Sequence, residues 1–320
     1  MPGTRDGEVS KKSGNLLKIL VSFGLLVILF RQVGWKQTWE TLIGTQWSYL
    51  SLAMILYLAG VGVRAYRWHL LLQASGMNVP LKRLVVLYFV GTFFSNVLPT
   101  GIGGDAVRMY ELYNTTQRSA ESISTVLLDR ATGLLMLFLI ALVALPFSHR
   151  LIPPSLVLVI LVLCAGSWMG TALIFHRGWL EKTGILRIIT RFGTTRKIYE
   201  AITACGFKAV GGALGISFLF NGLLIAVNYL IALSVGVRIP FEYFLLFIPL
   251  ISFLLLLPFS VSGLGIREGG YVYLFAYAGV PSALALSMSL LFYALNVATG
   301  LIGGIMYILE GAWGMGGGSS

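Results

Sequence analysis

Charged residues are scarce in this chain, 11% of 320, and several of them sit beside breaks in apolar runs. Asp105 and Arg108 follow one break, and Arg267 and Glu268 follow another. The adjacent pair Asp129-Arg130 stands near the start of the apolar run after the first break. Asp105 and Arg108 are three residues apart and share a helix face. A guanidinium offers a planar fork of donors that matches a phosphate or carboxylate. A neighbouring carboxylate can neutralise that fork or exchange a proton, and Glu268 is the residue whose type suits the latter. The chemistry in view is therefore recognition of an anion. The same residues also have an ordinary structural use. Asp105 suits a helix cap, and Arg108, Arg267, Asp129 and Glu268 could pair among themselves to hold segments in place.

The elements that must position these groups are unusual. The first break reads Asn96-Val-Leu-Pro99-Thr-Gly101-Ile-Gly103-Gly104-Asp105, and the second reads Pro258-Phe-Ser-Val-Ser262-Gly263-Leu-Gly265-Ile-Arg267-Glu268. Each ends an apolar run, Leu84 to Leu98 or Tyr243 to Leu257. A helix of that length rises about 22 Å, less than a bilayer core of about 30 Å. Irregular backbone at that depth persists only where protein or a wet cavity solvates it. Paired interruptions in the two halves of a membrane protein point to a substrate site. After each glycine cluster the chain is expected to restart as a helix, whose free N–H groups suit an anion.

Composition sets the class. Hydrophobic residues make up 57% of the chain, and a soluble domain would carry about 25% charged residues. Apolar runs such as Val126 to Leu145 are continuous, without the alternation of barrel strands. Full spans are expected at 16–31, 47–66, 122–146, 151–175, 209–233 and 282–309. The segment Met1 to Gly14 is polar and no small-residue cleavage site follows the run Leu16 to Phe30, so that run is expected to be a first membrane helix rather than a signal peptide.

Charge bias then orients the spans. Basic residues crowd the N-terminus, the stretch holding Arg64, Arg67, Lys82 and Arg83, and the segment 176–208. All three are expected in the cytoplasm, with the N-terminus inside and the chain in the cell (inner) membrane. Counting spans from there makes the segment 84–118 leave and return on one side, as a re-entrant hairpin. The second half repeats the order, with a hairpin at 243–280, but starts from the opposite side. The expectation is an all-α polytopic membrane protein of two inverted-topology repeats, 1–150 and 151–320, each with a broken-helix hairpin. The segment 176–208 reads as a basic interfacial stretch between them.

Other classes are weaker. The net charge of +11 is explained by topology and anionic lipid, and no nucleic-acid module is present. Cys164 and Cys205 form no metal or disulfide spacing, and three dispersed histidines make no zinc site. No catalytic motif, cofactor fingerprint or metal set is found. The charges come as mixed pairs, not the one-sign rings of a channel. Asn221 and Asn228, seven apart, are expected to join helices, and Gly300, Gly303 and Gly304 to permit close packing.

The two breaks also carry a resemblance. Asn96-x-Leu-Pro99-x-Gly101-x-Gly103-Gly104-Asp105-x-x-Arg108 with Leu127-x-Asp129-Arg130, then Pro258-x-Ser260-x-x-Gly263-x-Gly265-x-Arg267-Glu268, resembles the flippase-like membrane domain of lysylphosphatidylglycerol synthases. The resemblance covers nearly the whole chain. It implies movement of lipid between leaflets, and as protein partner a lipid-modifying or glycan-assembly enzyme. Bifunctional members carry a soluble synthase domain. This chain is expected to be a stand-alone member without it, so aminoacyl transfer is not implied.

The expected function is translocation of an anionic phospholipid or polyprenyl-phosphate-type lipid. Asn96, Pro99, Gly101, Gly103, Gly104, Asp105 and Arg108 would form one wall of the route, with Asp129 and Arg130 beside them. Ser262, Gly263, Gly265, Arg267 and Glu268 would form the other. The rivals are a membrane-embedded transferase using Asp105, Asp129 or Glu268 on a lipid-linked substrate, and a non-transporting scaffold for an envelope enzyme.

Overall fold

The computed structural model describes residues 35–98, 103–148, 152–175, 193–255 and 263–314. The expected first span at 16–31 lies outside the described residues, as do Pro99, Gly101, Ser262 and most of the basic segment 176–208. The described residues are helical throughout, without a strand among them. The helices are α1 (Trp35–Ile43), α2 (Trp47–Ala74), α3 (Leu81–Val97), α4 (Gly103–Thr116), α5 (Ser119–Ser148), α6 (Pro154–Phe175), α7 (Gly193–Ala204), α8 (Gly206–Ser234), α9 (Glu242–Leu254), α10 (Ile266–Ala276) and α11 (Ser282–Gly314). Five of them, α2, α5, α6, α8 and α11, are long and apolar enough to cross a bilayer.

One expected boundary is wrong in a way that matters. The span placed at 47–66 continues to Ala74. Its end is set by Gly76, which adopts φ +70. There the Gly76 N–H donates to the Gln73 carbonyl at 3.0 Å and the Met77 N–H to the Leu72 carbonyl at 2.9 Å, a left-handed glycine stop. Arg64 and Arg67 therefore belong to the interior of a membrane helix, not to a cytoplasmic loop. Charge bias alone cannot separate a basic loop from a basic helical turn.

Helices α2 and α8 run antiparallel along their length. The Gln46 N–H at the start of α2 donates to the Ser234 carbonyl at the end of α8, at 2.8 Å. At the opposite end, the Ser75 hydroxyl lies 3.1 Å from the Cys205 sulfur. The short helices form hairpins. Arg83 near the start of α3 pairs with Glu111 near the end of α4 at 3.5 Å, so both ends of that hairpin lie on one side. In α9 and α10, Phe244 and Phe247 meet Phe275 with ring centroids 5.1 and 5.2 Å apart.

The contacts come in matched pairs. Helix α3 packs on α11 while α9 packs on α5, so each hairpin's first helix rests on the last helix of the other half. The second hairpin helices, α4 and α10, rest on α5 and α11 of their own halves, and α1 meets α11 as α7 meets α5. Glycine makes the tightest of these approaches. A Cβ on Gly303 would collide with the Phe89 carbonyl of α3, and one on Gly304 would sit 2.9 Å from the Phe93 ring. A Cβ on Gly300 would lie 2.6 Å from the Asn96 amide nitrogen. The small-residue stretch in the last span thus seats α3 as expected.

Candidate functional site: paired hairpin restarts in the helix bundle

The residues after the first break gather around Asp129 of α5. Asp129 is 1% exposed and receives the Arg67 Nε of α2 at 2.8 Å on Oδ1. Its Oδ2 receives the Arg108 Nη2 of α4 at 3.1 Å and the Tyr88 hydroxyl of α3. One carboxylate thus ties α2, α3 and α4 to α5. Arg108 also reaches Asp105 Oδ1 at 3.3 Å, and Asp105 Oδ2 meets Arg130. Asp105, expected as a helix cap in its plain role, is instead an ion-pair partner of two arginines.

Aromatic rings and missing side chains shape the space. The Arg108 guanidinium lies 3.7 Å from the Tyr88 ring centroid and 4.2 Å from that of Trp68. Both are within cation–π range. Trp68 and Tyr88 meet edge to face at 5.8 Å, and Trp68 Nε1 donates to Thr125 Oγ1 at 3.3 Å. The Arg108 stem crosses the face of Gly91, where a Cβ would come within 3.0 Å of its Cγ and Cδ. A Cβ on Gly104 would collide with the Gly91 carbonyl and the Ser95 hydroxyl. Gly91 and Gly104 therefore let the hairpin close and admit Arg108 to the interior. Gly133 does the same for Arg67, whose Nη1 would lie 2.9 Å from an added Cβ and which donates to Ser217 of α8 at 2.9 Å.

The second break is built differently. Gly263 and Gly265 adopt φ +77 and +83, a backbone region that favours glycine. The Gly265 N–H donates to Glu268 Oε2 at 2.6 Å, so Glu268 caps the restarting helix. Its other oxygen receives Arg267 Nη2 at 2.7 Å and Nε at 3.1 Å. Arg267 also reaches Ser289 of α11 at 3.3 Å and lies 4.4 Å from the Tyr293 ring centroid. Both members of this pair are buried, at 4% and 0% exposure.

Both hallmark arginines lie in ion pairs. Arg108 pairs with Asp105 and Asp129 while its Nε stays buried without an acceptor, and Arg267 pairs with Glu268. Arg108 bonds α4 to Asp129 of α5, and Arg267 bonds α10 to Ser289 of α11. The remaining expected residues fall nearby in part. Gly103 and Gly104 are buried at the start of α4. Asn96 donates to the Asn296 carbonyl of α11 at 3.3 Å. Arg130 is 41% exposed on its side chain. Asn221 and Asn228 act as expected, the first donating to the Gly133 carbonyl of α5 at 2.8 Å, the second accepting from the Tyr271 hydroxyl of α10.

Sequence reading missed Arg64, Arg67, Tyr88, Trp68 and Ser217. Tyr88, Trp68 and Ser217 carry no signal above ordinary helix composition. The two arginines did carry one: they sit inside a run that stays apolar as far as Leu72.

A bundle of five bilayer-length helices with interior charges bonded across helices is a multi-pass membrane protein. The family described as Lysylphosphatidylglycerol synthase TM region matches residues 15–304, and the chain belongs to it. The chain is also similar to a UPF0104 membrane protein, PH1989, of Pyrococcus horikoshii. The two are 25% identical over 322 aligned residues, covering 91% of this chain and 96% of that one.

Proposed function

We propose that this protein moves an anionic lipid between leaflets, its charged head crossing along the two hairpin restarts while the tails stay in the bilayer. Family membership supports a lipid-related role. The observation that carries the choice of an anion is the charge balance around the first break. Arg64, Arg67, Arg108 and Arg130 face only Asp105 and Asp129 among the described residues there. A surplus of positive charge inside a membrane bundle is costly, at about 2.5–3.5 kcal/mol for each exposed to lipid on insertion scales. A bound phosphate would offset it.

The inverted-repeat reading belongs to the same proposal. Antiparallel α2 and α8, and contacts that recur in matched pairs, are what two halves related by an axis in the membrane plane would display. The two hairpins would then enter from opposite faces, each giving the head group a polar step. The route would be lined by Asn96, Gly103, Gly104, Asp105, Arg108, Asp129 and Arg130 on one side and Gly263, Gly265, Arg267 and Glu268 on the other. Pro99, Gly101 and Ser262 belong to the same breaks.

The test is purified protein in liposomes, with fluorescent phosphatidylglycerol and phosphatidylcholine in separate preparations and a membrane-impermeant quencher. Protein-dependent leaflet exchange that is faster for the anionic lipid is expected. No exchange of either lipid would favour a scaffold role for an envelope enzyme. Equal exchange of both would remove the argument from charge.

A further inference from the structure

Arg64 differs from its buried neighbours. Arg67, Arg108 and Arg267 all bond carboxylates. Arg64 has no ion pair or hydrogen bond among the described residues; its Nε, like that of Arg108, is buried without an acceptor. Its guanidinium lies 5.2 Å from the Tyr88 ring centroid and 5.0 Å from that of Phe220 on α8. Arg64 is only partly buried, whereas Arg67 and Arg108 are sealed at 3% and 4% exposure. It is thus both unpaired and reachable.

Its depth and neighbours add to the case. Arg64 stands about 5 Å from the midpoint of α2, by the rise per residue of a helix. Unpaired charge at membrane depth is kept where it meets a substrate or a partner, and no carboxylate among the described residues pairs with Arg64.

Resting on the lipid-transport reading, we propose that Arg64 is the anion-binding residue, taking the phosphodiester of the lipid head between the rings of Tyr88 and Phe220. Arg108 and Arg267 are then positioning residues for the hairpins. The fork of Arg64 bonds two phosphate oxygens, and the rings flank the guanidinium without competing for its donors.

Thermal unfolding of the full chain in detergent tests this, with dihexanoyl-phosphatidylglycerol, dihexanoyl-phosphatidylcholine or sodium phosphate added. The wild type is expected to gain more stability from the anionic lipid than from the zwitterionic one. Arg64→Gln should unfold no earlier than wild type without lipid, because it removes an unpaired charge. It should bind the anionic lipid about tenfold more weakly or worse, the size expected for lost charge-assisted bonds. Arg64→Lys should keep part of the effect. An Arg64-dependent shift with sodium phosphate as large as with lipid would identify free phosphate as the ligand of the same site.

The inference falls if Arg64→Gln keeps wild-type affinity, if wild type does not distinguish the two lipids, or if the variant unfolds several degrees early without lipid. Leaflet exchange measured on the same preparations separates the two claims. Exchange that persists in Arg64→Gln removes the role of Arg64 and leaves transport standing. Arg64-dependent binding without exchange does the reverse.

Discussion

Asp129 is the residue on which the first cluster depends. Removing its charge strands the buried Arg67 guanidinium, leaves Arg108 with Asp105 alone, and frees the Tyr88 hydroxyl. Breaking one side of a buried pair typically costs about 3–5 kcal/mol. Asp129→Asn is therefore expected to lower the unfolding temperature in detergent strongly. Adding Arg67→Met to that variant should recover part of the loss, since one stranded charge goes with it. A Tm unchanged in Asp129→Asn would mean that the cluster is solvated rather than sealed. The importance of Asp129 was legible in the sequence from its type and depth. Its partners were not, because Arg67 and Tyr88 come from helices far away in the chain and nothing local announces them.

At the scale of helices, glycine decides how closely the hairpins seat. Gly104 faces the Gly91 carbonyl within the first hairpin, and Gly303 faces the Phe89 carbonyl across halves. These are contacts with backbone, which cannot swing aside as a flexible side chain can. Overpacking of this kind costs typically about 1–3 kcal/mol. Gly104→Ala and Gly303→Ala should each lower thermal stability by that order. Gly166→Ala and Gly170→Ala on α6, where an added methyl meets nothing within 4 Å, should be silent. Equal effects at all four sites would refute this account of the packing. The helices themselves were readable from length and hydropathy, including the short pair around each break. The extension of α2 was not, because Arg64, Arg67 and His69 interrupt its second half. A further signal was present and passed over: Gly76-x-x-x-Pro80 recurs as Gly236-x-x-x-Pro240, and both glycines end a long helix with positive φ.

For the molecule as a whole, the antiparallel crossing of α2 and α8 invites a lock. Ser75 and Cys205 already lie within 3.1 Å, a separation that a disulfide can close with little movement. Burial pushes the Cys205 thiol above its ordinary value, against a smaller opposing effect of the Ser75 hydroxyl. Less thiolate is then present at neutral pH, so oxidation of a Ser75→Cys variant should be slow at pH 7 and faster as pH rises. Mass spectrometry of the cross-linked peptides would register the bond. If the halves rock about this crossing during transport, the oxidised form should stop leaflet exchange and reductant should restore it. Full exchange by the locked protein would place the moving parts elsewhere.

The exchange of hairpins between halves bears on how the protein is made. Helix α3 finishes at Val97, yet the surface it packs on begins only at Ser282. At ribosomal speeds of about 5–20 residues per second, the wait is about 10–40 seconds. During that interval the nascent first hairpin has α2 and α5 beside it but not α11. Chains halted before Ser282 should therefore be caught by quality-control proteases.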